Sequence, residues 1–162
     1  MILFHGTSRS VMDSLSDENP LKTPYLTDNP ELAEYYAECA MEELEDDDWV
    51  ILAVNLTDDE LTYLKADFHA FEEPISITRN DHASSDREWF KMLENGEIRW
   101  PESNDDYATS LEFTGSAWID MDIPTSRLVE TSSYQEAIAA FESTMDALAT
   151  PNQHSASSEL GQ

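Results

Sequence analysis

The first eight residues, Met1 to Ser8, read MILFHGTS. The apolar run over Ile2, Leu3 and Phe4 predicts a short first strand, and directly after it stand a histidine, a glycine and two hydroxyl residues. A lone His-Gly in that place reads as a strand that ends in a polar turn. The stretch over residues 24–40, PYLTDNPELAEYYAECA, adds a second element to be explained with it. Pro24, Tyr25 and Leu26 predict a brief strand. Asp28 then precedes Glu31 by the spacing of a capping box, with Pro30 suited to a first helical turn. Ala33, Tyr36, Ala37, Ala40, Met41 and Leu44 recur on one helical face, opposite Glu34, Glu38 and Glu42, and the helix should stop near the acidic run at 45–48.

Further along, WVILAVNL (Trp49 to Leu56) is an almost unbroken apolar and β-branched run, which predicts a central strand buried on both faces. TDDEL makes a capped turn, and Tyr63 to Ala70 leaves helix and strand both open. Residues 74–87 are polar and predict a loop; DREWFKMLENG predicts a helix ending at Gly96. Residues 100–110 read as a polar connection, and SLEFTGSAWIDMDIP as a strand or strand pair around Gly115. SYQEAIAAFESTMDALA predicts a last amphipathic helix burying Ala137, Phe141, Met145 and Leu148. This mixture is α+β, one domain over residues 1–149, with a Ser-rich, disordered tail expected at 150–162.

Charge narrows the function. Against 35 Asp and Glu there are 8 Lys and Arg, a formal net charge of -27. Such a field repels phosphate backbones, so direct nucleic-acid binding by counterion release is not expected. The acidity fits a solvated surface, an imitation of nucleic acid presented to a basic partner, or steering towards a basic protein substrate. The single cysteine, Cys39, allows no internal disulfide and suggests a reducing compartment. No apolar run approaches membrane-spanning length and the start lacks the charge of a signal peptide, so a cytoplasmic protein with no membrane partner is expected. His69, His82 and His154 have no zinc-like spacing, and Asp46 to Asp48 read as a solvated loop; no metal site is expected.

Taken together, LFHGTS and PYLTDNPELAEYYA resemble the first two motifs of the ADP-ribosyltransferase-like fold, the group of poly(ADP-ribose) polymerases and diphtheria-type toxins, which also has many small phage and bacterial members. SAWIDMDIPTSRLVE looks like that family's closing segment. The resemblance implies a split β-sheet core with flanking helices, and NAD as the consumed cofactor. It implies that His5 hydrogen-bonds a ribose hydroxyl and that the Gly6 backbone holds the nicotinamide amide. By the same likeness Thr7 and Ser8 reach ribose or phosphate, Tyr25 stacks on the nicotinamide ring, and Tyr36 closes the pocket. Departure of nicotinamide leaves an oxocarbenium-like ribose that a carboxylate stabilises. The family's third motif is a Glu on a late strand, for which Glu112 is the first candidate, Asp120 the second and Asp122 the third. Strict alignment of the closing strand puts Ala117 at that position.

The implied activity is mono-ADP-ribosylation of a protein target with a basic or nucleic-acid-binding surface. Small acidic members of this fold are often carried by phages as inhibitors of host machinery, CRISPR complexes included. The alternative is a non-catalytic acidic binding protein, a nucleic-acid mimic, on the same scaffold. An RNA phosphotransferase of related fold would need basic residues around its phosphate, and the cations here are scattered along the chain.

Overall fold

Strand β1 runs from Ile2 to Ser8, so His5, Gly6, Thr7 and Ser8 lie within the first strand and not in a turn after it. The reason is its partner. Strand β3, Trp49–Asn55, pairs antiparallel with every residue of β1, from Ile2 opposite Asn55 to Ser8 opposite Trp49. Its β-branched, apolar residues keep the polar end of β1 extended. Among the described residues, which in this computed structural model are 1–143, four shorter strands complete a single sheet: β2 (Tyr25–Thr27), β4 (Leu64–Ala66), β5 (Ser116–Ile119) and β6 (Leu128–Glu130). The order is β4-β5-β2-β1-β3-β6, with every pairing antiparallel. The expected mixture of α and β in one domain is thus built on one six-stranded antiparallel sheet. Its weak seam lies between β1 and β2, which share only the pair Phe4 and Thr27.

Helix α1 (Arg9–Ser14) is capped by the Ser8 hydroxyl, which accepts the Val11 N–H. Helix α2 (Pro30–Glu43) starts as the Pro-Glu pattern predicts, but its cap is Asn29, whose side-chain oxygen accepts the Glu31 N–H at 2.9 Å. Asp28, the expected capping residue, lies one position too early. The buried face of α2 is Leu32, Ala33 and Ala37, while Leu44 is exposed. Small residues on that face let α2 lie against β1 so closely that a Cβ on Gly6 would stand 1.8 Å from the Ala33 carbonyl oxygen. Gly6 is required by packing.

The ambiguous stretch after Tyr63 resolves into β4 followed by helix α3 (Phe68–Glu72). The predicted loop at 74–87 contains helix α4 (Ser76–Arg79) and the start of helix α5 (Asp86–Asn95), which does end at Gly96. A larger correction concerns SLEFT: Tyr107–Thr114 is helix α6, not a strand. Asp106 caps it, accepting the Thr109 N–H, and Gly115 ends it at φ +69° before β5 begins. Residues 134–143 form a further helix, α7, that buries Ala137 and packs Phe141 on the core; Met145, Leu148 and the segment 150–162 lie outside the described residues.

The strand alternation sorts the core. Phe4, Ile51 and Ala53 join Ala33 of α2 and Ala137 of α7 on one face, while Leu3, Val54, Leu26, Leu64 and Ile119 meet on the other. A separate cluster under α3, α5 and α6 is built around Trp89, whose indole N–H donates to the Phe71 carbonyl at 2.9 Å. No helix among the described residues is long and apolar enough to cross a membrane.

Candidate functional site

The weak seam of the sheet is where the main cleft opens. Beyond Phe4 strand β1 has no further pair with β2, so the two strands part at His5. The imidazole fills the gap: His5 Nδ1 lies 2.7 Å from the Tyr25 carbonyl oxygen. A carbonyl only accepts, so Nδ1 carries the hydrogen and Nε2 of the neutral ring remains an acceptor. Burial holds the His5 pKa below the usual histidine value, against the opposing effect of that hydrogen bond, and the ring is neutral at pH 7.

Around this point lies a cleft of about 400 Å³. His5 and Gly6 of β1 form one wall with Tyr25 and Thr27 of β2; Tyr36, Cys39 and Glu43 project from α2, and Asp67, His69 and Ser116 close the far side. The volume is that of a small-molecule site. Tyr25 is 57% exposed, far more than a core aromatic, which makes its ring available at the cleft. Tyr36 is half-buried, and burial together with the negative charge of Asp67 pushes its phenol up to about 12, so it stays a hydrogen-bond donor. Its ring meets that of Tyr35 edge-on, centroids 5.6 Å apart.

Four of the sequence-predicted residues therefore come together: His5, Gly6, Tyr25 and Tyr36. The others do not. Thr7 and Ser8 are buried in the sheet, and Ser8 is committed to capping α1. Glu112 stands exposed on α6, where it pairs with Arg99 at 3.4 Å and lines a smaller cavity of about 170 Å³ with Asp28, Thr78 and His82. Asp120 is exposed just past β5, its N–H donating to the Tyr63 carbonyl. Asp122 accepts the Thr23 N–H. None of the three acids lines the main cleft.

The acid that does reach the cleft from a buried position is Asp67, which sequence reasoning missed. It sits between β4 and α3, 7% exposed, and caps α3 by accepting the Ala70 N–H at 3.2 Å. Its second carboxylate oxygen accepts the Ser116 hydroxyl at 2.7 Å, and its own N–H donates to Ser110 Oγ at 2.9 Å. The Ser110 hydroxyl in turn donates to the Ser116 carbonyl at 2.6 Å. Only one signal in the sequence pointed here: an Asp ahead of FHAFE is a helix cap. Glu43 and His69 stand at the exposed rim, with His69 Nε2 3.0 Å from Glu73. Among the described residues neither lysine nor arginine lines the cleft, and no cluster of potential metal ligands occurs.

Chemically, the cleft offers exposed aromatic faces, a neutral imidazole, a protonated phenol and a desolvated carboxylate. That set suits a ligand with a flat, electron-poor or cationic ring and hydroxyl groups. Comparison of the chain with protein-family models, with curated proteins and with solved structures gives no match.

Proposed function

We propose that the chain is an NAD-dependent mono-ADP-ribosyltransferase that modifies a protein with a basic surface. The observation that carries this reading is the meeting of His5 and Tyr25 at one open seam of the sheet, beside Tyr36 and Asp67. NAD is the substrate in this chemistry, and the residues fit one end of it. The nicotinamide ring is flat and cationic, matching tyrosine faces and an acidic lining; the adjoining ribose carries hydroxyls that the Nε2 lone pair of His5 would accept from. The unpaired edge of β1 at His5 and Gly6 supplies backbone donor and acceptor for a carboxamide. With no cation in the lining, the phosphates would lie towards solvent. The roles divide accordingly. Tyr25 and Tyr36 hold the ring, His5 orients the sugar, and the sheet behind them excludes water.

Incubation with labelled NAD and a bacterial lysate tests the proposal. Transfer of label to protein and release of free nicotinamide are expected, with each falling on the order of 10²-fold in His5→Ala and Tyr25→Ala. Absence of both label and release from the folded wild-type protein would overturn it.

A second reading is favoured by the net charge of -27 and by the position of Glu112 and Asp120 away from the cleft. In it the chain is an acidic binding protein that occupies a nucleic-acid-binding surface without catalysis. The two readings part cleanly. Partner binding that survives His5→Ala and Tyr25→Ala but is lost when Glu42 to Asp48 are neutralised supports the second.

A further inference from the structure

We propose that Asp67 is the counter-charge of the main cleft: its carboxylate attracts a cationic ring to the cleft and stabilises the positive charge that develops on the sugar carbon as the bond to that ring breaks. The proposal rests on the ADP-ribosyl reading above for its second half. Its first half stands on the cleft alone.

Three observations carry it. Asp67 is the one buried carboxylate among the described residues lining the cleft; Glu43, the other acid there, is exposed and its charge is screened by solvent. A charge in a water-poor site acts several times more strongly on a nearby cation than one at the surface. Second, the carboxylate is held from behind, by the Ser116 hydroxyl at 2.7 Å on one oxygen and the Ala70 N–H at 3.2 Å on the other. An ionised carboxylate has about four lone-pair directions, so these two bonds orient it and leave acceptor capacity. Third, no lysine or arginine among the described residues lines the cleft to neutralise it. A buried carboxylate without a cationic partner is costly, and a cationic ligand supplies the missing charge.

The balance of the step is simple. The bond between the anomeric carbon and the ring nitrogen breaks, its electron pair leaves with the nitrogen, and the ring becomes neutral. Positive charge passes to the anomeric carbon, still opposite Asp67. A lone pair from the acceptor, a protein side chain or water, forms the new bond, and the acceptor's proton goes to solvent. Asp67 neither gives nor takes a proton in the step.

The test uses the full chain with two probe rings of nearly equal shape, methylnicotinamide (permanently cationic) and nicotinamide (neutral), and with NAD. Wild type is expected to bind the cationic ring at least about tenfold more tightly. Asp67→Asn, which can still cap α3 and hydrogen-bond Ser116, should lose that preference, raise KM for NAD as the attraction to its cationic ring is lost, and lower kcat for NAD cleavage on the order of 10²-fold. Asp67→Glu should keep the cation preference, and Glu43→Gln should leave it intact. Equal binding of both rings by wild type, or an unchanged preference in Asp67→Asn, overturns the proposal. Should wild type prefer the cationic ring through Asp67 yet leave NAD intact, the counter-charge stands and the ADP-ribosyl reading falls. If NAD is cleaved equally well by wild type and Asp67→Asn, the ADP-ribosyl reading stands and the role of Asp67 in the bond-breaking step is overturned. If Asp67→Asn does not fold, Glu43→Gln decides: retention of the cation preference supports the proposal, and its loss overturns it.

Discussion

At the residue scale, two side-chain positions in β1 have opposite reasons for being what they are. Gly6 is glycine because α2 leaves no room: the added Cβ of Gly6→Ala would meet the Ala33 carbonyl oxygen at 1.8 Å and the Ala37 nitrogen at 2.8 Å, both backbone atoms that cannot swing away. We expect a loss of about 3 kcal/mol or more in urea unfolding, the upper end for an overpacked site. His5 is set by polarity. Its pKa is depressed below 6.5 mainly by burial, so the unfolded chain takes up this proton more readily than the folded one. Its contribution to stability is therefore complete above about pH 6.5 and is lost as pH falls through the lower folded-state value. Many carboxylates titrate in the same region, so the measurement is a difference: wild type should lose stability relative to His5→Gln between about pH 7 and pH 5. A constant difference would show that the ring is not desolvated.

Caps and pairings decide matters at the element scale. Asn29 closes the start of α2, and Asn29→Ala should cost about 1 kcal/mol in urea unfolding, whereas Asp28→Ala, outside the cap, should cost less than half as much. Equal losses would restore Asp28 to the capping role. The TDDEL turn behaves as its letters suggest: Thr57 and Glu60 exchange hydrogen bonds across a 3₁₀ turn. Arg127 then grips both oxygens of Glu60 and the Asn55 carbonyl, tying the end of β3 to the start of β6. Arg127 holds the Glu60 carboxyl down to about 2. Gly115 shows how a local pattern misleads. FTGSAWI alternates well enough to suggest a hairpin, but the left-handed turn there ends a helix, and Glu112 is carried away from the cleft with it.

Charge belongs to the whole molecule. Five of the 8 Lys and Arg residues, namely Arg9, Lys65, Arg79, Arg99 and Arg127, are engaged in ion pairs among the described residues, so most of the 35 acids have no cation to face. Their mutual repulsion opposes the compact state. Raising salt from about 0.01 M to about 1 M shortens the Debye length from roughly 30 Å to 3 Å and should raise Tm. A Tm that is flat or falls with sodium chloride would mean that the surplus charge is neutralised in some other way. The same field predicts no retention on duplex DNA even at low salt.

By itself the sequence determined the elements whose signals are local: the long β3 run, the Pro-initiated α2, the helix that stops at Gly96, and the placing of His5, Tyr25 and Tyr36 on elements close enough in the chain to meet. It also determined the acidity. Tertiary structure decided that β1 stays extended through its polar end, because β3 pairs with all of it, and that β1 and β2 separate after one pair to leave a cleft. It decided, too, which acid stands there. Asp67 and Ser116 lie far apart in the chain and meet only because β4 pairs with β5. A helix-capping aspartate carries no mark in the sequence of facing a cleft; burial and hydrogen-bond partners are properties of packing, which sums contacts across the fold that no local pattern contains.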